Sequence, residues 1–483
     1  MNIVGIDLGT TFSAISQIGD NGRSEIVPFS NGDRLVPSAV MILDNDVLVG
    51  KAAQEEYANA PERYFETFKR YMGDEFYPKE LNGEKIKPAY LSSLLLKYIR
   101  EDYENRYGKI DKCIVTVPAY FDETRRSATL EAIRLAGLPE DTGLLNEPTA
   151  AGLYYASRFD EINGKSVIFD LGGGTFDVTI LDIKRNNGAI DVNVISSQGD
   201  HELGGKDFDK AILEFIKEKF NTSVSDDVLY DDNTYLEQLM AVEETVKKKL
   251  SEKEEVSPRF FGVNGSIFKE SISREIFENL IDSEIQKVKM LVEGLLAENN
   301  IDPSSVENVL LVGGSSRIPY FQNYLKQLFN TEPKILGNVD ESVALGAAIS
   351  AMLRAGISMN ENISLQDVCN HSYGTFVFDP VINKTFNDII IPKNSAIPVT
   401  ITKVYGLQRD GQTAIDASVT QGESSEKDEV NVLQDGMIDL SGLETKEGEE
   451  VVVEFSYDIN QTMKCVFTHS KSGKKIEVNL HTT

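Results

Sequence analysis

The sequence predicts an α/β domain built from two related lobes, followed by an all-β sandwich domain, and two observations carry that prediction. The first is a repeat. Residues 166–183, SVIFDLGGGTFDVTILDI, read as an apolar strand ending at Asp170, a turn through Gly172, Gly173 and Gly174, and a returning strand. Residues 3–13, IVGIDLGTTFS, hold the same strand, Asp-Leu-Gly turn and returning strand, with Asp7 standing 163 residues before Asp170. A repeated unit of this kind implies two halves built alike. The second observation is a change of period. From Tyr373 onward the chain alternates apolar and polar residues in short runs separated by turn residues, the pattern of an antiparallel meander.

The repeated hairpin also carries chemistry. Glycine leaves the N–H groups of a turn unshielded, and consecutive amides form a concavity that accepts an anion such as a polyphosphate. Asp7 and Asp170, at the ends of their strands, then face the same phosphates and can hold a hydrated divalent cation. Two such hairpins read as two lobes gripping one nucleotide.

The elements between and beyond the hairpins follow in order. Residues 39–43 read as a strand, 50–59 as helical, 91–107 as a helix and 113–117 as a buried strand broken by Pro118. Asp122 N-caps a helix that Gly137 ends, and Glu147 just before Pro148 suits a helix's first turn. After the second hairpin, Gly204 and Gly205 open a helix. Residues 244–251 are helical, with Glu244, Lys247, Lys248 and Ser251 on one face. Residues 309–312 form a strand that leads through Gly313, Gly314 and Ser315 into a helix, a unit suited to nucleotide contact. Asp340 is read as the cap of an Ala/Gly-rich helix.

Composition narrows the function. A length of 483 residues suggests about three domains. The net charge of −29 argues against nucleic acid and anionic membranes as partners. No leader pattern precedes Ile3, and the most apolar run, 342–352, is too short to span a bilayer. Cys113, Cys369 and Cys465 are odd in number and far apart, which fits a reducing cytoplasm rather than a disulfide framework. The four histidines show no ligand spacing, so zinc has no support. No G-x-x-x-x-G-K-[ST] occurs, and no G-x-G-x-x-G follows a strand, which removes the P-loop and dinucleotide readings.

Six segments, IDLGTT (6–11), VTVPAYF (115–121), NEPTAAG (146–152), DLGGGTFDVTI (170–180), GGKDFD (204–209) and LVGGSSRIP (311–319), together resemble the DnaK-type seventy-kilodalton heat-shock chaperones. They stand in the family's order over the first three quarters of the chain; the last part is similar only loosely. The resemblance implies an actin-like ATPase domain over residues 1–359, an exposed interdomain linker over 360–370 and a peptide-binding β-sandwich over 371–483. It implies an ATP-dependent chaperone for stress response and protein folding, which hydrolyses ATP to ADP and phosphate and cycles on hydrophobic polypeptide clients. A J-domain co-chaperone and a nucleotide exchange factor are the further partners it implies.

The same resemblance implies the site. Lys69 lies beside the γ-phosphate and acts with Asp7, Glu147, Asp170 and Thr175 in hydrolysis. Gly9, Thr10, Thr11, Phe12, Gly172, Gly173, Gly174 and Thr175 hold phosphates, and Gly204, Gly205, Gly313, Gly314, Ser315, Arg317 and Asp340 complete the nucleotide site. The face of Glu244, Lys247, Lys248 and Ser251 clamps adenine and ribose. Carboxylates this close to a polyphosphate repel unless cations intervene, so Mg²⁺ is expected near Asp7, Asp170 and Asp177; the resemblance adds K⁺. Pro118, Arg126 and Glu147, with Leu365 and Val368 of the linker, pass nucleotide state to the second domain, and Ile415 points into a peptide pocket.

The chain also departs from the pattern. Lys248 stands where arginine is more usual, residues 74–90 are shorter, and the linker SLQDV (364–368) keeps only Leu365 and Val368 apolar. The sequence stops where a helical lid would start. Two other readings remain, a sugar kinase of the same superfamily and a nucleotide-dependent scaffold or exchange partner without chaperone cycling.

Overall fold

Each hairpin seeds a sheet. The computed structural model describes residues 1–186, 188–224, 226–231, 234–357, 362–381 and 383–480. In the first lobe the strands lie in the order Ser24–Ile26, Phe12–Ile18, Ile3–Asp7, Lys112–Val117, Gly143–Asn146. The first three are antiparallel and the last three parallel. The second lobe repeats this with Ala189–Asp200, Phe176–Asn186, Gly164–Leu171 and Asn308–Val312. Leu310 bridges Lys334 in parallel where the first lobe has its fifth strand. The repeat seen in eleven residues of sequence is therefore a repeat of whole sheets.

These strands are apolar on both faces because helices cover both. Val4, Ile6, Cys113 and Val115 feed a core under the helix Pro88–Tyr107, while Ile3 and Ile114, one residue out of phase, feed a second core that spans both lobes. Two helices cross in that shared core. Glu147–Arg158 follows a first-lobe strand yet packs on the second sheet, where Gly152 sits against Ile168 and Leu181. Ser342–Arg354 returns to the first sheet, where Gly5 lies under its backbone and Ser16 Oγ donates to the Ala344 carbonyl at 2.6 Å. The two helices touch at Gly346, where a methyl would overlap the Ala150 carbonyl.

Local signals read from sequence behave as chemistry requires. Asp122 accepts from the Arg125 N–H at 2.9 Å to cap Glu123–Ala136, and Gly137 ends that helix at φ 72°. One cap is corrected: the residue before Ser342–Arg354 is Glu341, which makes no capping bond, and the Asp340 carboxylate turns instead toward Arg317 at 3.9 Å.

From Tyr373 two four-stranded antiparallel sheets face each other. One contains Lys384–Ile391, Tyr373–Asp379, Val419–Gln421 and Asn431–Gln434; the other contains Val399–Gly406, Glu450–Tyr457, Met463–His469 and Lys475–Asn479. Val451, Val453, Phe455 and Tyr457 point inward and alternate with outward residues, and they join Ile391, Val419, Cys465 and Phe467 in one core. This is the predicted sandwich.

The segment expected as an exposed linker is a strand. Residues 360 and 361 lie outside the described residues, as do 358 and 359 before them. Asn362–Val368 pairs in parallel with Ala189–Asp200, from Ala189↔Asn362 to Asn193↔Gln366, and its last two residues pair with Ala396–Ile397. Alternation explains it: Ile363 and Leu365 turn into the shared core while Ser364 and Gln366 turn out, and Val368 closes the same core. The expectation of exposure is corrected by main-chain pairing that joins both domains.

Gly346→Ala should destabilise the two-lobed domain by about 1–3 kcal/mol through overpacking. A thermal or urea unfolding midpoint unchanged from the parent chain would contradict the helix contact.

Candidate functional site

A cavity of about 750 Å³ lies between the lobes, and both hairpins line it: Asp7, Gly9, Thr10, Thr11 and Phe12 from the first, Asp170, Gly172, Gly173 and Thr175 from the second. The turns interlock, since side chains at Gly173 and Gly174 would overlap Thr11 and Thr10. The Gly205 and Lys206 N–H groups donate to the Gly172 and Gly173 carbonyls at 2.9 and 2.8 Å, which fixes the second turn from behind. Gly174, Gly204 and Gly205 do not line the cavity. Gly204 lies on the Gly173–Gly174 backbone and Gly205 against Ser315 and Lys247, so these glycines serve close packing. Gly313, Gly314, Ser315, Arg317 and Asp340 line the far wall.

Charge gathers at the floor. Lys69 lies on the short 3-10 turn Phe68–Tyr71, preceded by Thr67 at φ 53°, a left-handed conformation that a β-branched residue adopts only under constraint. Lys69 is buried and bonded to Glu147. Thr116 Oγ1 donates to Asp7 Oδ1 at 3.0 Å. Burial, then Glu147, pushes the Asp7 carboxyl up to about 7. Asp170 moves the same way for the same causes, with Asp177 adding to them. Asp177, opposite Asp170 in the hairpin, is driven to about 8 chiefly by burial. It sits behind the cavity wall, where one oxygen accepts the Tyr120 N–H at 3.1 Å and Oδ2 has no hydrogen-bond partner among the described residues. Among the described residues no group of three or more such side chains is arranged as a direct metal site. The chemistry of this floor, four carboxyl groups against one ammonium, suits a cation that keeps its waters.

At the other end, Lys247, Lys248 and Ser251 line the cavity, but Glu244 does not. Residues Glu243–Lys247 form a π-helical turn, whose extra residue rotates Glu244 off the shared face that an α-helical reading gives it. Glu244 pairs instead with Lys248 at the surface. Lys247 donates to Asp209 Oδ2 at 2.7 Å and to the Gly205 carbonyl at 3.1 Å.

Sequence reasoning passed over the clasps between lobes. Arg70 of the first lobe donates to the Gly174 carbonyl at 2.8 Å and grips Asp207, which in turn accepts the Gly204 N–H at 2.9 Å. Arg34 pairs with Glu341 at 2.7 Å. Arg70 directly follows Lys69, and Asp207 and Asp209 lie inside GGKDFD, so the signal was present but read as helix opening.

The sandwich docks on the first lobe through Arg126, 1 % exposed. Its guanidinium donates to the Phe121 carbonyl at 3.0 Å, to Asn146 Oδ1 at 2.7 Å and to Gln461 of the sandwich, and Gln461 Nε2 donates to Asp367 Oδ2 at 3.0 Å. Asn370 Nδ2 donates to the Ala119 carbonyl, next to Pro118, at 2.7 Å, and Tyr373 OH donates to Glu123 at 3.1 Å. Arg126 and Glu147 were expected in this route; Gln461, Asp367, Asn370 and Tyr373 were not. Ile415 belongs to the sandwich core and also lines a cavity of about 310 Å³ with Phe376, Phe378 and Tyr405.

The Hsp70 protein family model matches residues 3–82 and 77–483. Curated relatives include the chaperone protein DnaK of Thermotoga neapolitana, 36 % identical over 435 residues, covering 87 % of this chain and 70 % of that one. The DnaK of Thermosipho melanesiensis is 34 % identical over 434 residues with the same coverage. The chaperone protein dnaK of Cyanidium caldarium is 34 % identical over 513 aligned positions, covering 99 % of this chain and 80 % of its own. The chain belongs to the Hsp70 family.

His371, whose ring lies 5.3 Å from that of Tyr120 in the first lobe, gives the docked joint a pH dependence. Burial, then the Arg126 guanidinium, lowers it from 6.5 to about 4. A histidine depressed on folding contributes fully above pH 6.5, and the contribution is lost as pH falls toward 4. Moving from pH 7 to pH 5 should weaken docking by roughly 1–2 kcal/mol. Protease sensitivity of residues 362–370 reports it, and a His371→Phe chain with an unchanged pH slope would contradict the assignment.

Proposed function

We propose that this Hsp70-family chain is an ATP-driven chaperone in which nucleotide binding and slow hydrolysis in the cleft drive binding and release of exposed hydrophobic polypeptide segments. Members of the family are ATPases, and the relatives described above are named as chaperones. The observation that carries the reading is the cavity itself, walled by two copies of one hairpin, with its Glu147 joined to the docked sandwich through the neighbouring Asn146 and the hydrogen bonds of Arg126.

In this reading Thr10, Thr11, Thr175 and the open amides hold phosphate oxygens. Lys69 exchanges Glu147 for the attacking water and offsets charge that develops on the γ-phosphate, and Glu147, freed of Lys69, orients that water. Mg²⁺ suits Asp7 and Asp170, with Asp177 behind them, and when bound supplies neutralisation of the phosphate oxygens; K⁺ is the second cation we assign to the site. Lys247, Lys248 and Ser251 flank adenine and ribose, with aliphatic stems along the base. Residues 1–359, 360–370 and 371–483 are taken as the functional units, with Leu365 and Val368 moving when the linker strand moves. We assign clients to the cavity beside Ile415, a J-domain co-chaperone and an exchange factor as partners, and the cytoplasm as location. Among the described residues no helix is long and apolar enough to cross a membrane.

Stimulation of ATP turnover by an added Leu- and Ile-rich peptide tests the chaperone reading; tight ATP binding with no stimulation favours the scaffold. Lys69→Ala should lower kcat by roughly 10²–10³-fold while nucleotide affinity stays within about threefold. Equal loss of both would remove its assigned role. Ile415→Phe should abolish binding of a labelled peptide, followed by anisotropy, without changing ATP turnover in its absence. Intact binding with a lowered unfolding midpoint would make Ile415 core only.

A further inference from the structure

Lys206 is a buried cation that the mechanism above does not use. It stands in the first turn of the helix Gly205–Ser223 and is 7 % exposed. The nearest carboxylate oxygen, Glu243 Oε2, is 3.8 Å away, and among the described residues its ammonium makes no hydrogen bond. Burial works to remove its proton, but Glu66, Glu243 and Asp209 together outweigh burial and hold it charged.

Two costs meet here. The carboxylates nearby offset the charge, but at these distances they leave the donors of the buried ammonium without hydrogen bonds. A positive charge in the first turn also opposes the helix dipole, which favours anions there. Both are relieved by one event, the arrival of an anion at the ammonium, beside a helix start whose Gly205 and Lys206 N–H groups are already engaged by the phosphate hairpin. The position fits. Lys206 lines the main cavity, its own N–H grips the Gly173 carbonyl at the tip of the phosphate hairpin, and it forms the wall shared with a smaller space of about 180 Å³ toward Glu66 and Thr67 of the first lobe. Thr11 Oγ1, of a residue that borders both spaces, is buried and has no hydrogen-bond partner among the described residues.

We propose that Lys206 is a nucleotide-binding residue whose ammonium donates to an anionic phosphate oxygen of bound ADP or ATP and returns toward Glu243 when the nucleotide leaves. The inference rests on the nucleotide reading of the cleft. Titration calorimetry of the full chain with Mg-ADP and with adenosine, for the parent, Lys206→Gln and Lys206→Arg, tests it. Lys206→Gln should weaken ADP roughly ten- to hundredfold, as loss of a hydrogen bond to a charged group does, and leave adenosine within about twofold. Lys206→Arg should recover most of the ADP affinity. Unchanged ADP affinity in Lys206→Gln, or equal weakening of ADP and adenosine, would overturn the assignment while leaving the nucleotide reading intact. A parent chain that binds neither ligand would instead overturn the nucleotide reading, and this inference with it.

Discussion

Four carboxyl groups and one ammonium at the floor of the cleft set a condition that the rest of the molecule meets. Asp7 and Asp170 end the two first strands, Asp177 starts a returning strand, Glu147 starts a crossing helix, and Lys69 comes from a strained turn. Burial first, and then the like charge of Glu147, pushes these groups toward the neutral form, as the raised Asp7 and Asp177 carboxyls record. They remain together because the elements that carry them are fixed elsewhere. The exchanged helices weld one lobe to the other through glycine contacts, and Arg70 and Arg34 close the gap by pairing with acids across it. An arginine fork suits that task, since it holds two acceptors in one plane.

Much of this was legible in the chain. The hairpins, the Asp122 cap, the Gly137 stop and the alternating strands of the sandwich are local facts of period and turn chemistry, and local facts survive folding. What escaped reading was of three kinds. Glu244 was placed on the nucleotide face by an α-helical count, and a single π-turn invalidates that count without any mark in composition. Gln461, Asn370 and Asp367 look like ordinary turn and strand residues; their roles depend on partners some 90 to 340 positions away in sequence, and no local pattern announces such a partner. The linker misled for a third reason. The resemblance implied exposure, yet Ile363 and Leu365 on alternate positions, with Val368 at the strand's end, suffice to seat a strand when an open sheet edge lies beside it.

The joint between the domains is polar at its centre. Arg126 and Asp367 are both buried, joined through Gln461, and Burial raises the Asp367 carboxyl despite Arg126 and Arg354 nearby. Buried polar networks of this sort add little net stability but tolerate few alternative geometries. The joint is accordingly a device for registration more than for adhesion. Since Asn146 receives one branch of Arg126 and its neighbour Glu147 holds Lys69, a shift of that helix start moves both ends of the network together.

The seated strand Asn362–Val368 has a bearing on solubility. It occupies the edge of Ala189–Asp200, a twelve-residue strand with apolar residues at alternate positions along one side. Whenever the domains part, that row of amides and carbonyls faces solvent, and a long unpaired edge invites any extended chain, including a second copy of this one. Asp191 and Asn193 on that edge and a net charge of −29 oppose self-pairing. Time spent apart is thus time at risk of aggregation, and high salt or heat would raise that risk, the first by screening the charge and the second by lengthening the separation.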